Sequence, residues 1–455
     1  MTRSSEAFDA SAPTVASAAA ALAADAITAT ELTRSALARA RLPAARAVFT
    51  QLREENALLE AAASAALRSA GVVPSPLAGL PISVKDLFDI RGETTTAGSA
   101  ALADRSPAAA DAEAVRRLRV SGAVLVGRTN MTELAFSGLG LNPHFGTPTN
   151  PCDPNAARIP GGSSSGAAVS VALGITVAAL GTDTGGSVRI PAALCGLVGF
   201  KPTAARVPLD GTMPLSWSLD SIGPIARTVA CCSAMDRALS QSTAEELPTK
   251  SASCQIAVPR SLVWEDLDRY TAEAIEATLA RISRAGVTLV DVEAPEFFEI
   301  AEVNAGGGIA AAESFAAHRQ LLDQHGDRVD PRVRVRIERG SSMTAAEYLD
   351  LLRSRREIQG RFIRRMQDFD LWLMPTVPHV APLLESLATD AAYFAANRLM
   401  LRNPSLVNFL DGCAISLPCH DQGNLPVGVS LVAASGMDRQ LLAAAARLEA
   451  VITSM

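Results

Sequence analysis

Two segments rich in glycine and serine contain the residue types best suited to nucleophilic catalysis. They are GGSSSG at 161–166 and GTDTGGS at 181–187. Ser187 is followed by the helical-looking run VRIPAALCG, so main-chain N–H groups without a partner inside a helix would surround its hydroxyl. Such donors can stabilise an oxyanion. A glycine-rich turn that ends in a serine helix cap explains the same residues, and both interpretations remain open at this point.

Ser164 is an alternative nucleophile. With Gly162 and Gly166 it fits the Gly-x-Ser-x-Gly pattern of the nucleophile elbow of α/β-hydrolases. The serine of an elbow directly follows a β-strand. Residues 150–160 contain three prolines and no apolar run that could form such a strand. The context therefore disfavours an elbow at Ser164.

Lys85 is the candidate general base. It follows the apolar run 80–84, which predicts a short buried strand. A lysine with its ordinary pKa of ~10.4 is a poor base at neutral pH, but burial disfavours the charged form and lowers the pKa. A solvated lysine at the end of a strand is the alternative interpretation.

The sequence shows no set of metal ligands. The five histidines, at positions 144, 318, 325, 379 and 420, have neither a two-histidine helical spacing nor a neighbouring Cys-x-x-Cys pair. The seven cysteines are odd in number and lack paired spacing, which is typical of reduced thiols. We therefore expect a cytoplasmic protein that uses no metal and no other cofactor.

The two serine segments belong to a longer series of ordered motifs. The clearest motifs are PISVKD at 81–86, GGSSSG at 161–166, GTDTGGSVRIPA at 181–192, CGLVGFKPT at 195–203 and SLDSIGPIARTV at 218–229. Together these motifs resemble those of the amidase signature family. Looser similarity at 370–382 and 408–419 extends the resemblance over nearly the whole chain.

This resemblance implies a Ser-cisSer-Lys triad. Ser187 would be the nucleophile, Lys85 the base, and Ser163, after a cis peptide bond at Gly162, the serine that relays the proton between them. The resemblance also implies a covalent acyl-enzyme and an oxyanion hole. We expect the main-chain N–H groups of Thr184, Gly185 and Gly186, in the turn before Ser187, to form the oxyanion hole. Asp183 and Arg189 are expected to orient this turn.

Members of the family act on different amides, and the motifs favour a stand-alone hydrolase of a small linear amide. The alternative is the A subunit of a tRNA-dependent glutamine amidotransferase. That protein has an acidic residue seven positions before the asparagine that matches Asn408, where this chain has Leu401. It also has an Arg-Tyr-Gly block after the asparagine and alanine that match 304–305, where this chain has three glycines. A urea-like substrate of the biuret type is a further alternative.

Arg355 is the candidate substrate-binding residue. It stands 15 residues before the aspartate that matches Asp370, where the amidotransferase protein has a carboxylate-binding arginine. The segment 353–365 contains six arginines, so a solvated helix face is the alternative interpretation.

Alternating strand and helix patterns predict the α/β class, with a mixed twisted sheet covered by helices on both faces. We expect one domain, 1–455, made of N-terminal helices (1–70), a signature core (75–230), a more helical cap or side layer (235–365) and a return to the core (366–455). The specific predictions are helices at 31–40, 48–69, 111–119, 269–284 and 344–365, and strands at 80–84, 123–126, 371–373, 414–417 and 427–432.

The overall composition limits the partners. Of the residues, 48% are hydrophobic and 19% are charged, which is typical of a globular enzyme. A formal charge of −6 disfavours nucleic acid as a partner. No apolar run is long enough to span a membrane, and the alanine-rich stretch 14–29 is better explained by a surface helix than by a signal peptide. The expected partner is a small amide, and a homodimer is left open.

Overall fold

The computed structural model describes residues 12–242 and 255–453. Within these residues eleven strands form one sheet, in the order β1-β3-β2-β4-β6-β5-β10-β11-β9-β7-β8. The strands are β1 (Phe49–Leu52), β2 (Pro81–Lys85), β3 (Val124–Thr129), β4 (Ala178–Asp183), β5 (Val198–Lys201), β6 (Ser221–Ala226), β7 (Gln255–Pro259), β8 (Thr288–Val292), β9 (Leu371–Pro375), β10 (Cys413–Pro418) and β11 (Gly428–Ala433).

Many helices flank this sheet. They are α1 (Val15–Ala23), α2 (Ala29–Ala40), α3 (Glu54–Ser69), α4 (Glu113–Val120), α5 (Ser165–Ala172), α6 (Arg189–Leu194), α7 (Val229–Ser240), α8 (Arg269–Arg284), α9 (Glu296–Val303), α10 (Gly308–His325), α11 (Pro331–Glu338), α12 (Ala345–Met366), α13 (Asp390–Phe409) and α14 (Asp438–Thr453). None of the described helices is both long and apolar enough to cross a bilayer.

The sheet is mixed, as predicted. β2 pairs in parallel with both β3 and β4, whereas β4 pairs antiparallel with β6. Every residue of these four strands is buried, so both faces of the central sheet are covered. The α/β class is therefore confirmed. Lys85 is the last residue of β2, at the carboxyl end of a fully buried strand.

The helix predicted at 48–69 is wrong at its beginning. Residues 49–52 form the edge strand β1, which pairs antiparallel with β3, and α3 begins only at Glu54. The main-chain N–H of Arg53 donates to Val126 of β3 at 2.8 Å, while its buried side chain binds Glu60 and Glu93. Pairing with a neighbouring strand thus overrides the helical pattern of the sequence.

The segment 235–365 contains α8 to α12, as its helical character predicts, but it also supplies two strands that the sequence analysis missed. β7 and β8 pair in parallel, and β7 also pairs in parallel with β9. The segment therefore extends the sheet itself. The division of one domain into four parts stays a prediction.

The remaining predicted elements agree with the structure within a few residues. One small difference is the start of α2, which begins at Ala29 rather than at residue 31; Thr28 is its N-cap and forms a capping box with Glu31. The other predicted helices correspond to α4, α8 and α12, and the predicted strands to β2, β3, β9, β10 and β11.

The helix α5 begins immediately after the first serine segment and packs against the main chain of its neighbours. Residues 165–171 are all buried. The N–H of Gly166 donates to the Asn130 carbonyl at 2.9 Å, and a Cβ on Gly166 would lie 2.2 Å from the carbonyl oxygen of Val48. Only glycine allows this close approach, which holds the serine segment at the edge of the sheet.

We expect Gly166→Ala to lower the free energy of unfolding by about 1–3 kcal/mol, because the main chain around α5 must move to accept the methyl group. The matched control is Gly360→Ala in α12, where the nearest atom to an added Cβ is Arg364 Nη1 at 3.7 Å. That change should stabilise by about 0.5–1 kcal/mol, since helical glycine is unfavourable. Urea denaturation measures both, and equal effects would contradict the close packing of α5.

Candidate active site

Lys85 is enclosed at the end of β2. Its side chain is fully buried. Nζ donates a hydrogen bond to Ser163 Oγ at 2.7 Å and another to Thr182 Oγ1, on the neighbouring strand β4, at 2.9 Å. The interpretation of Lys85 as a solvated lysine is therefore wrong. The structure brings together a buried amine and a serine hydroxyl that are 78 residues apart in the chain.

Ser163 lies between Lys85 and the turn that contains Ser187. The peptide bond between Gly162 and Ser163 is cis. The carbonyl of Ser163 accepts a hydrogen bond from the N–H of Thr132 at 3.1 Å, and the N–H of Ser164 donates to the carbonyl of Ser187 at 3.2 Å. The two serine segments are thus joined through the main chain, and all three residues of the predicted triad lie in one buried region.

Ser164 occupies a different position from an elbow nucleophile. It lies just before the first residue of α5, and residues 150–160 form no strand. Its hydroxyl donates to the carbonyl of Thr182 at 3.4 Å. The context that an elbow requires is absent here.

Asp183 holds the turn 184–188 in place. Its carboxylate accepts hydrogen bonds from the main-chain N–H groups of Gly186, Val188 and Arg189, at 2.8, 3.2 and 3.3 Å. It also forms a fully buried ion pair with the Arg189 guanidinium at 2.9 Å. Burial alone would raise the pKa of Asp183, but the charge and hydrogen bonds of Arg189 outweigh it and hold the pKa below its usual range. The carboxylate is therefore ionised and fixed.

A helix from the C-terminal part of the chain completes this network. Nδ2 of Asn408, in α13, donates to both the carbonyl and the carboxylate of Asp183 at 2.9 Å, and Asn408 Oδ1 accepts from Arg189 at 2.6 Å. These contacts give Asp183 and Arg189 the orienting position that the sequence analysis expected.

The prediction for the oxyanion hole needs a correction at Gly186. Its N–H is directed to Asp183 and is not available to a substrate. Within residues 12–242 and 255–453, by contrast, no acceptor binds the N–H of Gly185 or of Ser187. Of the predicted donors, Thr184 and Gly185 therefore stay predictions, and the unbound N–H of Ser187 is added to them.

Burial controls the protonation of Lys85. It lowers the pKa of Lys85 to about 7, although the negative charges of Asp220 and Asp183 oppose the shift. Asp220 is itself fully enclosed, and burial raises its pKa to about 6. Its carboxylate accepts hydrogen bonds from Thr184 Oγ1 at 2.5 Å and from the N–H of Leu215 at 3.0 Å.

Asp220 was not among the predicted site residues, although it lies in the motif at 218–229. Asp220 is 36 residues from Thr184 in the chain, so residue spacing did not reveal the contact between them. A second missed residue is Lys201, whose buried Nζ donates to the carbonyls of Pro202 and Gly412 at 2.7 and 2.9 Å. The rarity of lysine was the available signal, since the whole chain has only Lys85, Lys201 and Lys250.

Arg355 lies near the same region but is engaged by the protein. Its guanidinium donates to the carbonyls of Phe409, Ser218 and Asn408, at 2.8, 3.1 and 3.2 Å. Arg355 therefore stabilises the C-terminal end of α13. Its guanidinium does not lie on a solvated helix face, and its donors are occupied by carbonyl groups. Contact of Arg355 with substrate stays a prediction.

No histidine is placed to activate a serine. None of the five hydrogen-bonds to Ser163 or Ser187, and all five lie within the described residues. His318 binds the carbonyl of Pro214 at 2.9 Å, and burial lowers its pKa to about 4. The described part of the chain also has no cluster of three or more histidine, cysteine, aspartate or glutamate side chains that could hold a metal ion.

Known proteins match this chain along most of its length. Residues 31–442 match the sequence profile of the Amidase family. The 2-amino-5-chloromuconic acid deaminase of Comamonas testosteroni is 38% identical over 397 residues, with 86% of each chain covered. The A subunit of the glutamyl-tRNA(Gln) amidotransferase of Chloroflexus aggregans is 35% identical, over 84% of this chain and 85% of that one. A crystal structure described as an amidase has a TM-score of 0.87 at 33% identity and covers 97% of this chain and 100% of its own.

These similarities agree with the motifs from which the sequence analysis inferred the family. The chain therefore belongs to the amidase family, and it is an amidohydrolase that acts on the carbon–nitrogen bond of amides.

Proposed function

We propose that this protein hydrolyses a small linear amide through a Ser187–Ser163–Lys85 triad and a covalent acyl-enzyme. Ser187 Oγ attacks the carbonyl carbon while its proton passes to Ser163, whose own proton moves to Lys85. The proton then returns through Ser163 to the leaving nitrogen, and the C–N bond breaks. Water attacks the resulting ester by the same route and releases the acid. The observation that carries this proposal is the 2.7 Å hydrogen bond from Lys85 Nζ to Ser163 Oγ inside a buried site.

The electrostatics support Lys85 as the base. With a pKa of about 7, a large fraction of Lys85 is neutral at physiological pH and can accept a proton. An ordinary lysine, with a pKa of ~10.4, would be almost entirely protonated there. The anionic neighbours Asp183 and Asp220 stabilise the ammonium that forms when the proton arrives.

The turn before Ser187 supports transition-state stabilisation. The N–H groups of Gly185 and Ser187 have no acceptor among the described residues, so they are free to bind a developing oxyanion. The hydrogen bonds from this turn to Asp183 hold the donors in place before substrate arrives. Pre-organised donors of this kind require no rearrangement during the reaction.

The surroundings favour a stand-alone hydrolase over a component of an amidotransferase. Leu401 packs against Gly138 and lies 3.6 Å from the position of an added Cβ on Gly185. A hydrocarbon side chain therefore stands beside the proposed oxyanion donors, and it cannot pair with the ammonium group of glutamine. The Comamonas testosteroni relative is named for deamination of an amino-substituted chloromuconic acid. We therefore include release of ammonia from unsaturated amino acids of that type among the candidate reactions.

The first prediction is that the purified chain alone releases ammonia from at least one member of a panel of small amides, without ATP, tRNA or any other protein. Coupled ammonia detection measures this release, and Ser187→Ala provides the background. Glutaminase activity that depends on partner proteins and charged tRNA would instead favour the amidotransferase alternative.

The second prediction is that a fluorophosphonate labels Ser187, because the proposed nucleophile is the serine that the neutral base activates. Peptide mass spectrometry locates the adduct. Ser187→Ala should abolish labelling, whereas the matched control Ser164→Ala should retain the adduct at residue 187. An adduct on Ser164 in the unmodified enzyme would show that the nucleophile has been misassigned.

The third prediction concerns the protonation of Lys85. Below pH ~7 the ammonium predominates and cannot act as a base, so kcat/KM should rise with pH through about 7. Lys85→Ala should lower turnover by about 10²–10⁴-fold. Asp220→Asn removes an anion that favours the ammonium, so the midpoint of this rise should move to lower pH.

Selective labelling with ¹³Cε-lysine tests the third prediction directly, because the chain contains only three lysines. NMR titration should give one resonance with a midpoint near 7, absent in Lys85→Ala and shifted downward in Asp220→Asn. Lys201 supplies an internal comparison with a buried amine that contacts only carbonyls. A midpoint for Lys85 near 10 would contradict its role as the base.

A further inference from the structure

Arg336, in α11, is a largely enclosed cation without an anionic partner. Its Nε is buried and has no hydrogen-bond partner. Within the described ranges no carboxylate forms an ion pair with it, whereas the buried arginines 53, 128 and 189 each bind one. Enclosing a guanidinium without a counter-charge is unfavourable for folding. An anionic group on a ligand would supply the missing counter-charge.

The guanidinium of Arg336 contacts a segment that leads to the proposed active site. Its Cζ is 4.5 Å from the ring centroid of Phe136. Phe136 is two residues before Gly138, a separation of at most about 7 Å along the chain. The carbonyl of Gly138 accepts a hydrogen bond from the N–H of Gly162 at 2.8 Å, directly before Ser163. The segment 136–138 therefore links the contact of Arg336 to the residue directly before Ser163.

The nearest acidic side chain on this segment is already occupied. Glu133 accepts hydrogen bonds from Ser99 Oγ at 2.5 Å and from the N–H of Asp330 at 2.6 Å, and it lies 3.1 Å from Nε2 of His144. Asp330 is the N-cap of α11, so the same contact fixes the helix that carries Arg336. The guanidinium is thus held in position, while Glu133 is directed elsewhere.

The charges around Arg336 also favour an anion. Burial lowers its pKa to about 10; Tyr393 opposes this shift, and the like charge of Arg339 adds to it. Arg336 is nevertheless cationic at neutral pH. The residue keeps partial contact with solvent. A guanidinium that protein atoms surround but that solvent still reaches can be approached by a small anion, and its planar donors suit a carboxylate.

We propose that Arg336 binds a carboxylate of the substrate, so that the preferred substrates are half-amides of dicarboxylic acids. Phe136 would support the guanidinium by stacking, and the carboxylate would lie at the end of the substrate away from the scissile C–N bond. This inference rests on the proposed function, since it assigns an acid-binding subsite to the same active site.

The test compares acid amides with neutral amides of the same shape. Succinamate and glutaramate are paired with 4-methylpentanamide and 5-methylhexanamide, in which an isopropyl group replaces the carboxylate. The wild-type enzyme should favour at least one acid amide over its neutral partner by tenfold or more in kcat/KM. Arg336→Gln should abolish this preference by raising KM for the acid amide roughly 10- to 150-fold, the range expected for hydrogen bonds to a charged group. Arg336→Lys should keep part of the preference.

The matched control is Arg334→Gln on the same helix. Arg334 is exposed and pairs with Glu338 at 2.6 Å, so its loss should leave the substrate preference unchanged. Thermal unfolding adds a second readout: Arg336→Gln should keep or raise Tm, because it removes a cation without a protein partner. A fall in Tm without a change in preference would identify a packing role and overturn the proposal.

The wild-type comparison decides the question even where a variant fails to fold, because equal kcat/KM for acid and neutral amides would refute the subsite. Failure of the triad is distinguishable from failure of the subsite. Turnover that survives in Ser187→Ala would contradict the triad, whereas turnover that depends on Ser187 but shows no acid preference would contradict only the role of Arg336.

Discussion

The buried carboxylate of Asp183 is the interaction on which the local structure depends. It lies at the end of β4 and accepts three main-chain N–H groups of the turn that follows, while Arg189 neutralises its charge. Asn408 joins the same network from α13. Removing one partner from a buried ion pair typically destabilises the folded state by about 3–5 kcal/mol. A rearrangement of the turn that separated Asp183 from Arg189 would therefore be strongly unfavourable. A rigid turn of this kind keeps the N–H groups of Gly185 and Ser187 without an acceptor among the described residues.

The pKa of Lys85 depends on two opposing effects inside the buried site. Removal of water favours the neutral amine, and the carboxylates of Asp183 and Asp220 favour the ammonium. Desolvation is the larger effect, so the pKa falls to about 7 rather than staying near that of an exposed lysine. Without the two anions the amine would be neutral but would hold an accepted proton weakly. The pKa of the proposed base is thus close to neutral pH, where the group can both accept and return a proton.

The segment 235–365 contributes more than a cover for the sheet. Glu313 in α10 accepts hydrogen bonds from Ser216 Oγ and from Tyr348 at 2.5 Å, which anchors the loop that leads to Asp220. α11 contacts the segment 132–136 through Asp330 and carries Arg336. The proposed chemistry therefore depends on residues near the start and middle of the chain, whereas the proposed recognition of a carboxylate depends on this later, more helical segment.

Local pattern in the sequence was enough to predict the α/β class, the strand that ends at Lys85 and the long helices α3, α8 and α12, because apolar periodicity reports burial directly. It did not predict α10, α13 or α14. The ordered motifs were enough to predict the family, and they supplied Lys85, Ser163 and Ser187 as the candidate triad. Local pattern predicted no strand at β1, β4, β5, β6, β7 or β8, which include central as well as edge strands. Short strands depend on pairing with neighbours elsewhere in the chain, which local pattern does not report.

Tertiary structure alone decided which polar groups are occupied and which are free. The N–H of Gly186 is bound by Asp183, the guanidinium of Arg355 is bound by carbonyls of α13, and Arg336 has no carboxylate partner among the described residues. Asp220 acquires its influence on Lys85 only because the fold encloses both groups. Residue type and spacing identify a donor or a charge, but its availability depends on partners that folding brings from elsewhere in the chain.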